Sequence, residues 1–145
     1  TKANTALKDN LKSWILQYKM ISDTVDILDA EIVNFGVNYE VMIDIGANRF
    51  SVLSACNDRL ARLLSTKNDI GEYISITNIY KELQKVQGVV DVTSVEIISK
   101  SGGIYSESNY DFDAALSADA RRVLAEPNVI FELKYPNLDI RGSVR

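Results

Sequence analysis

The chain has 145 residues, 46% hydrophobic and 25% charged, with a net charge of −4. That balance suits one globular domain with its own core, and the acidic surplus argues against a nucleic-acid grip, which needs a basic face to displace phosphate counterions. There is no histidine and a single cysteine, Cys56, so His-containing catalytic triads, His zinc sites, intrachain disulfides and thiolate metal clusters are all excluded.

The chain opens "TKANTALKDN" without Met, as expected of a piece of a longer protein. "NTALKDNLKSWILQYKM" reads as a helix. Leu7, Leu11, Trp14, Ile15 and Tyr18 share one face, Lys8, Asp9, Lys12 and Gln17 lie off it, and Asn4 or Thr5 serves as the N-cap. That apolar face is read as core. Val25 and Ile27 alternate with acidic residues and suggest a short strand. A much stronger signal follows. Phe35, Val37, Tyr39, Val41, Ile43 and Ile45 fall on one side, and Asn34, Gly36, Asn38, Glu40 and Asp44 on the other. Period 2 over that length marks a long strand with one wet face. Gly36 is expected to mark a bulge.

"RFSVLSACNDRLARLLS" is the next helix, with Leu53, Cys56, Leu60, Leu63 and Leu64 inward. Cys56 on that face reads as buried filler rather than a nucleophile. "IGEYISI" is a short strand, and "SITNIYKELQKVQ" a helix with Ile76, Ile79, Tyr80, Leu83 and Val86 on one face and Ser75 or Thr77 as cap. Gly88 stands where the chain must leave in a left-handed turn. In the strand "VVDVTSVEIISK", Val90 and Val92 are out of phase with Val95 and Ile97, so a bulge or kink near Thr93 and Ser94 is expected. Residues 101–113 read as a polar surface loop long enough to reach a partner. "SADARRVLAE" is expected to form a short helix, "NVIFELKY" a strand, and "NLDIRGSVR" an extended tail.

These elements predict an α+β fold: a mixed sheet with helices on one face in a split βαβ, ferredoxin-like arrangement, plus an N-terminal helix and an extended C-terminal arm. The expected organisation is an N-terminal helix over 1–22 continuing from a preceding domain, an α+β core over 23–100, and a loop, short helix, strand and tail over 101–145.

Chemistry-bearing patterns are sparse. Asp23, Asp26, Asp29 and Glu31 crowd one stretch, and Asp111 and Asp113 another, but neither has the ligand order of a calcium loop. Gly102-Gly103 lacks the Lys and Ser/Thr of a phosphate loop, and no serine occupies a Gly-x-Ser-x-Gly elbow. No catalytic residue, metal ligand or cofactor is assigned. Aromatic residues are the remaining candidates, because they anchor protein interfaces: Trp14 and Tyr18 on the first helix, Tyr105 and Tyr110 in the loop, Phe131 and Tyr135 on the last strand.

The order of motifs carries a resemblance. "LKSWILQYKMISDTVDI", then "AEIVNFGVNYEVMIDI", then "IGEYISITNIYKELQKVQGVVDVTSVEI" is similar to the C-terminal part of the baseplate wedge proteins of contractile-tailed bacteriophages, the baseplate J-like group. The similarity spans Leu7 to Ile98. It implies a structural virion protein of the tail baseplate rather than an enzyme, acting as an assembly module. Its expected partners are its own copies, as a homodimer or ring, and other baseplate wedge subunits. Neither nucleic acid nor a membrane-spanning segment is expected. The alternative is a ferredoxin-like domain that senses a small molecule at the Val89–Val92 strand or at a dimer seam.

Overall fold

The computed structural model describes residues 3–18, 26–66 and 68–145. The chain divides into two compact units, Thr1–Ala30 and Glu31–Arg145. In the first, helix α1 spans Thr5–Leu16. Asn4 caps it, its side-chain oxygen accepting from the Leu7 N–H at 2.7 Å. Asp29 ties the following segment to it, accepting from the Ala3 N–H at 3.1 Å and pairing with Lys8 at 2.7 Å. The expected continuation of the helix to 22 runs into residues outside the described set, as does Val25 of the expected short strand, and no strand forms over 26–30.

The second unit is α+β. Strand β1 (Glu31–Ile43) leads to helix α2 (Arg49–Leu64). A two-residue strand β2 (Ile74–Ser75) and helix α3 (Ile76–Gln84) lead to strand β3 (Val89–Lys100). Then come β4 (Arg122–Val123), β5 (Val129–Glu132), the one-turn helix α4 (Pro136–Asp139) and β6 (Ile140–Val144). The main sheet is mixed. β3 runs antiparallel along one side of β1, while β5 and β6 run parallel to it, end to end, along the other.

The alternation read in β1 sets this layout. Val33, Phe35, Val37, Tyr39 and Val41 are all buried, as are Val52, Cys56 and Leu60 of α2 and Ile76, Ile79 and Leu83 of α3. Each such large side chain stabilises the fold by roughly 1.5–3 kcal/mol. Asn48 caps α2 and Ser75 caps α3. Gly88 takes the left-handed exit before β3, at φ +95°.

The connectivity departs from split βαβ. β2 pairs only with β4, outside the main sheet. Two helices therefore bridge β1 and β3, which return as antiparallel neighbours. An even number of passes across the helix layer brings the chain back head to tail, where a single helix would have produced a parallel strand.

The phase break in β3 is resolved as a bulge at Thr93. Ser94 pairs with Glu40 and Val92 with Val41, so Thr93 is extra. Its hydroxyl donates to the Glu40 carbonyl at 2.9 Å, and Val92 and Ile97 both stay buried. Gly36 is not a bulge. The ladder runs regularly past it, and the register shifts lie at Glu40/Val41 and Met42/Ile43. Glycine is required there because a Cβ would lie 2.8 Å from the Asp139 carbonyl oxygen.

That close approach follows from the interrupted edge. Between Asn34 and Val37, β1 has two residues; between their partners Glu132 and Ile140 the other side has seven. The surplus is wound into α4, which rests on Gly36. The expected tail is thus α4 and β6, paired into the sheet. Residues 117–126 do not form the expected helix. The Ser117 oxygen accepts from the Arg122 N–H and Asp119 from the Arg121 N–H, so local side chains satisfy a turn instead of capping a helix. Val123 then buries itself against Ile74.

Gly142 pairs with Tyr39, whose ring crosses it: a Cβ there would fall 2.2 Å from the tyrosine Cζ. Gly142→Ala is expected to lower stability by about 1–3 kcal/mol or more through overpacking. Gly46→Ala, with open space around the new Cβ, should change it little. Urea midpoints of the two variants measure the difference.

Candidate interaction surfaces

The aromatic residues singled out from the sequence separate into three settings. Trp14 lies on α1 and Tyr18 in the turn that follows its C-cap, 61% and 76% exposed, with ring centroids 5.3 Å apart. Leu7 and Leu11 on the same stripe are 49% and 43% exposed, and no α1 residue is buried. The face read as core is therefore not buried among the described residues. Leu7, Leu11, Trp14 and Tyr18 are spaced by four, three and four residues, the 3.5-residue period of a coiled-coil seam.

Tyr105 and Tyr135 meet edge to face, 5.7 Å apart. The loop over 101–109 is strapped down beside them rather than free. The Tyr105 hydroxyl donates to Asp139 Oδ1 at 2.5 Å, and the Tyr135 N–H to Asp139 Oδ2 at 3.0 Å. Lys134 Nζ donates to the Ile104 carbonyl. The Ser106 N–H donates to Asn34 Oδ1 at 2.7 Å, and its hydroxyl to the Ile32 carbonyl at 2.5 Å. Asn34 and Asp139 are both 1% exposed, and each has partners, as buried polar groups require. Both were missed in the sequence reading. Asn34 carried a weak signal as a polar residue in the central strand, and Asp139 carried none.

Phe131 belongs to the core cluster, and Tyr110 packs against it. Phe131 is 1% exposed and touches Phe35, Tyr110 and Phe112 with centroids at 6.4, 5.3 and 5.6 Å. Phe131 is thus interior and offers no interface, because alternation points it to the helix side of β5 beside Val33. Tyr110 is half-buried and donates to the Leu124 carbonyl at 2.9 Å.

On the helix side, the Tyr39 hydroxyl lies 2.5 Å from Asn57 Oδ1, close to Cys56, which is fully buried. Burial, with the nearby Cys56, pushes the Tyr39 phenol well above its usual range. The hydrogen bond to Asp139, then burial, raises Tyr105; burial raises Tyr110. Glu82 bridges Arg59 of α2 at 3.0 Å and Lys85 at 2.7 Å, which holds its carboxyl below the ordinary carboxylate range.

An open groove of about 380 Å³ lies between α2 and α4, lined by Phe50, Leu53, Asn57, Ala61 and Pro136 among others. A second, of about 230 Å³, lies between the end of α2 and β5. Neither is lined by the Val89–Val92 strand. Among the described residues no group of three or more His, Cys, Asp or Glu side chains is placed to hold a metal ion, and no helix is long and apolar enough to cross a membrane. Compared with known proteins, the chain matches no family model and no curated sequence.

Two measurements check these assignments. Tyr105→Phe removes one donor from the buried Asp139 carboxylate and should cost about 1–3 kcal/mol in denaturant unfolding. The raised phenols fix the alkaline behaviour. Above about pH 10 these three phenols lose their protons in the unfolded chain while the folded protein keeps them, so stability falls as pH rises. The alkaline limb of thermal stability against pH should be shallower in Tyr39→Phe than in the wild type.

Proposed function

We propose that this chain is a structural assembly module of a contractile phage tail baseplate, located in the virion and joined there to its own copies and to other wedge subunits. The observation that carries this reading is the seam of α1, exposed among the described residues. A stripe of Leu7, Leu11, Trp14 and Tyr18 facing solvent is unfavourable in isolation, and patches of this kind mark protein contacts. Its 3.5-residue spacing suits a partner helix, whose knobs would fill the holes between these residues. Aromatic anchors such as Trp14 and Tyr18 are the side chains that dominate interface energies.

The motif order supports the same reading. The stretches similar to the baseplate J-like proteins take in the second half of α1, then β1, and the run from β2 through β3, and the residues conspicuous in the last of them are engaged in packing: Ile79 and Leu83 inside α3, Gly88 at the turn, Val92 and Ile97 inside β3. In this reading the chain performs no chemistry, and its work is done by surfaces.

The test is association of the whole chain. Light scattering over a concentration series should show self-association, or a complex with another wedge subunit. Leu11→Ser with Trp14→Ala should weaken that association about tenfold or more while leaving the melting temperature of the sheet unit nearly unchanged. A strict monomer at high concentration that also ignores every wedge subunit would refute the proposal.

A further inference from the structure

We infer that copies of this chain join by strand addition, with the β6 edge of one copy lying antiparallel on the β3 edge of the next. This deepens the assembly reading and rests on it, but it uses a different surface from α1.

The main sheet has two outer sides. β3 pairs only with β1, and among the described residues no strand lies beyond it. The opposite side is divided. The β5 half is capped: the Gly71 N–H donates to the Val129 carbonyl at 2.8 Å, and Asn68 Nδ2 to the Phe131 carbonyl at 3.2 Å. Among the described residues the β6 half pairs only with β1. An open strand edge is a template for another strand, and main-chain pairing of this type is a recurrent mode of recognition.

Charge and register select a second copy as the strand that fits. Arg141 lies on β6 and Arg145 directly follows it; Asp91 and Glu96 lie on β3; all four are exposed. Arg141 and Glu96 each stand opposite Asn38, so they share one level and one face of the sheet. Val144 pairs with Val41, and Asp91 with the next residue, Met42, which sets Arg145 level with Asp91. β6 can therefore meet the neighbour's β3 in the register that β1 already uses. Arg141 then faces Glu96, Ser143 faces Ser94, and Arg145 faces Asp91. On the helix side Ile140 meets Ile97. The bulge at Thr93 rejects a flat, generic strand but suits β6, which copies the spacing of β1 on either side of it.

A five-residue ladder alone buries less than the ~1,000 Å² expected of a specific contact. α2, which packs over β6, supplies more: Phe50 is 78% exposed in the groove with Leu53, Ala61 and Pro136, where the neighbour's helix layer would cover it. The two edges are unlike, so the contact is heterologous. It builds a ring if the rotation between copies closes, and an open chain if it does not.

Sedimentation velocity on the full chain tests this in a Leu11→Ser/Trp14→Ala background, which silences the α1 seam. Two variants are compared, Asp91→Lys/Glu96→Lys and Arg141→Glu/Arg145→Glu. The background should associate, and added salt should weaken it. Each variant alone should be monomeric, because both of its edges then carry the same sign. An equimolar mixture should associate again, because each reversed edge meets its complement. The milder Arg141→Gln and Glu96→Gln should each weaken association several-fold, which guards against misfolding of the reversed variants. A monomeric background, reversals without effect, or a mixture that stays monomeric would overturn the β6–β3 contact. Association through α1 in the unmodified chain would survive any of these, so failure here is separable from failure of the assembly reading.

Discussion

The burial of one face of β1 is the constraint on which the sheet unit depends. β1 is the one strand to which β3, β5 and β6 are all hydrogen-bonded. Its inner residues from Val33 to Val41 are the floor on which α2 and α3 rest. Because strand side chains alternate, a register slip of one residue would turn this whole set to solvent. The neighbours of β1 thus inherit a register that they have little power to set. β3 absorbs its phase error as a bulge at Thr93, and the strand on the other side absorbs its surplus residues as α4.

The outer face shows what this accommodation costs. α4 can lie on β1 only where no Cβ intervenes, hence Gly36, and the turn brings the Asp139 carboxylate out of water. A buried carboxylate without donors would be strongly unfavourable. The loop over 101–109 supplies one through Tyr105, while Ser106 engages Asn34 a short distance away. A segment with the composition of a free surface loop is in this way held to the sheet. The helix face has a parallel arrangement, in which the Tyr39 ring covers Gly142 and reaches Asn57 of α2.

Much of the fold was legible because its signals are local. Strict alternation identified β1, helical spacing identified α2 and α3, Ser75 or Thr77 marked the start of α3, where the structure uses Ser75, and the phase break in β3 pointed to a bulge or kink near Thr93 and Ser94, where the structure has the extra residue at Thr93. Most of the failures turn on a partner remote in sequence. Gly36 looked like a bulge because its neighbour Asp139 lies far along the chain. Phe131 looked like an anchor because alternation alone does not say which face meets the helices. Residues 117–126 looked helical, yet Ser117 and Asp119 bond nearby backbone groups and Val123 is drawn to Ile74.

The sequence by itself determined the class of the fold, the identity of the central strand and the inner faces of α2 and α3, because period and propensity act within a dozen residues. The surfaces were decided by tertiary structure. Only folding shows that the α1 stripe is exposed among the described residues, that Phe131 is consumed by the core with Tyr110 packed against it, and that β5 is capped while β6 is open. The level placement of Arg141 with Glu96 and of Arg145 with Asp91 is of the same kind. It depends on two ladders that meet on β1 from opposite sides, and no pattern within either segment encodes it.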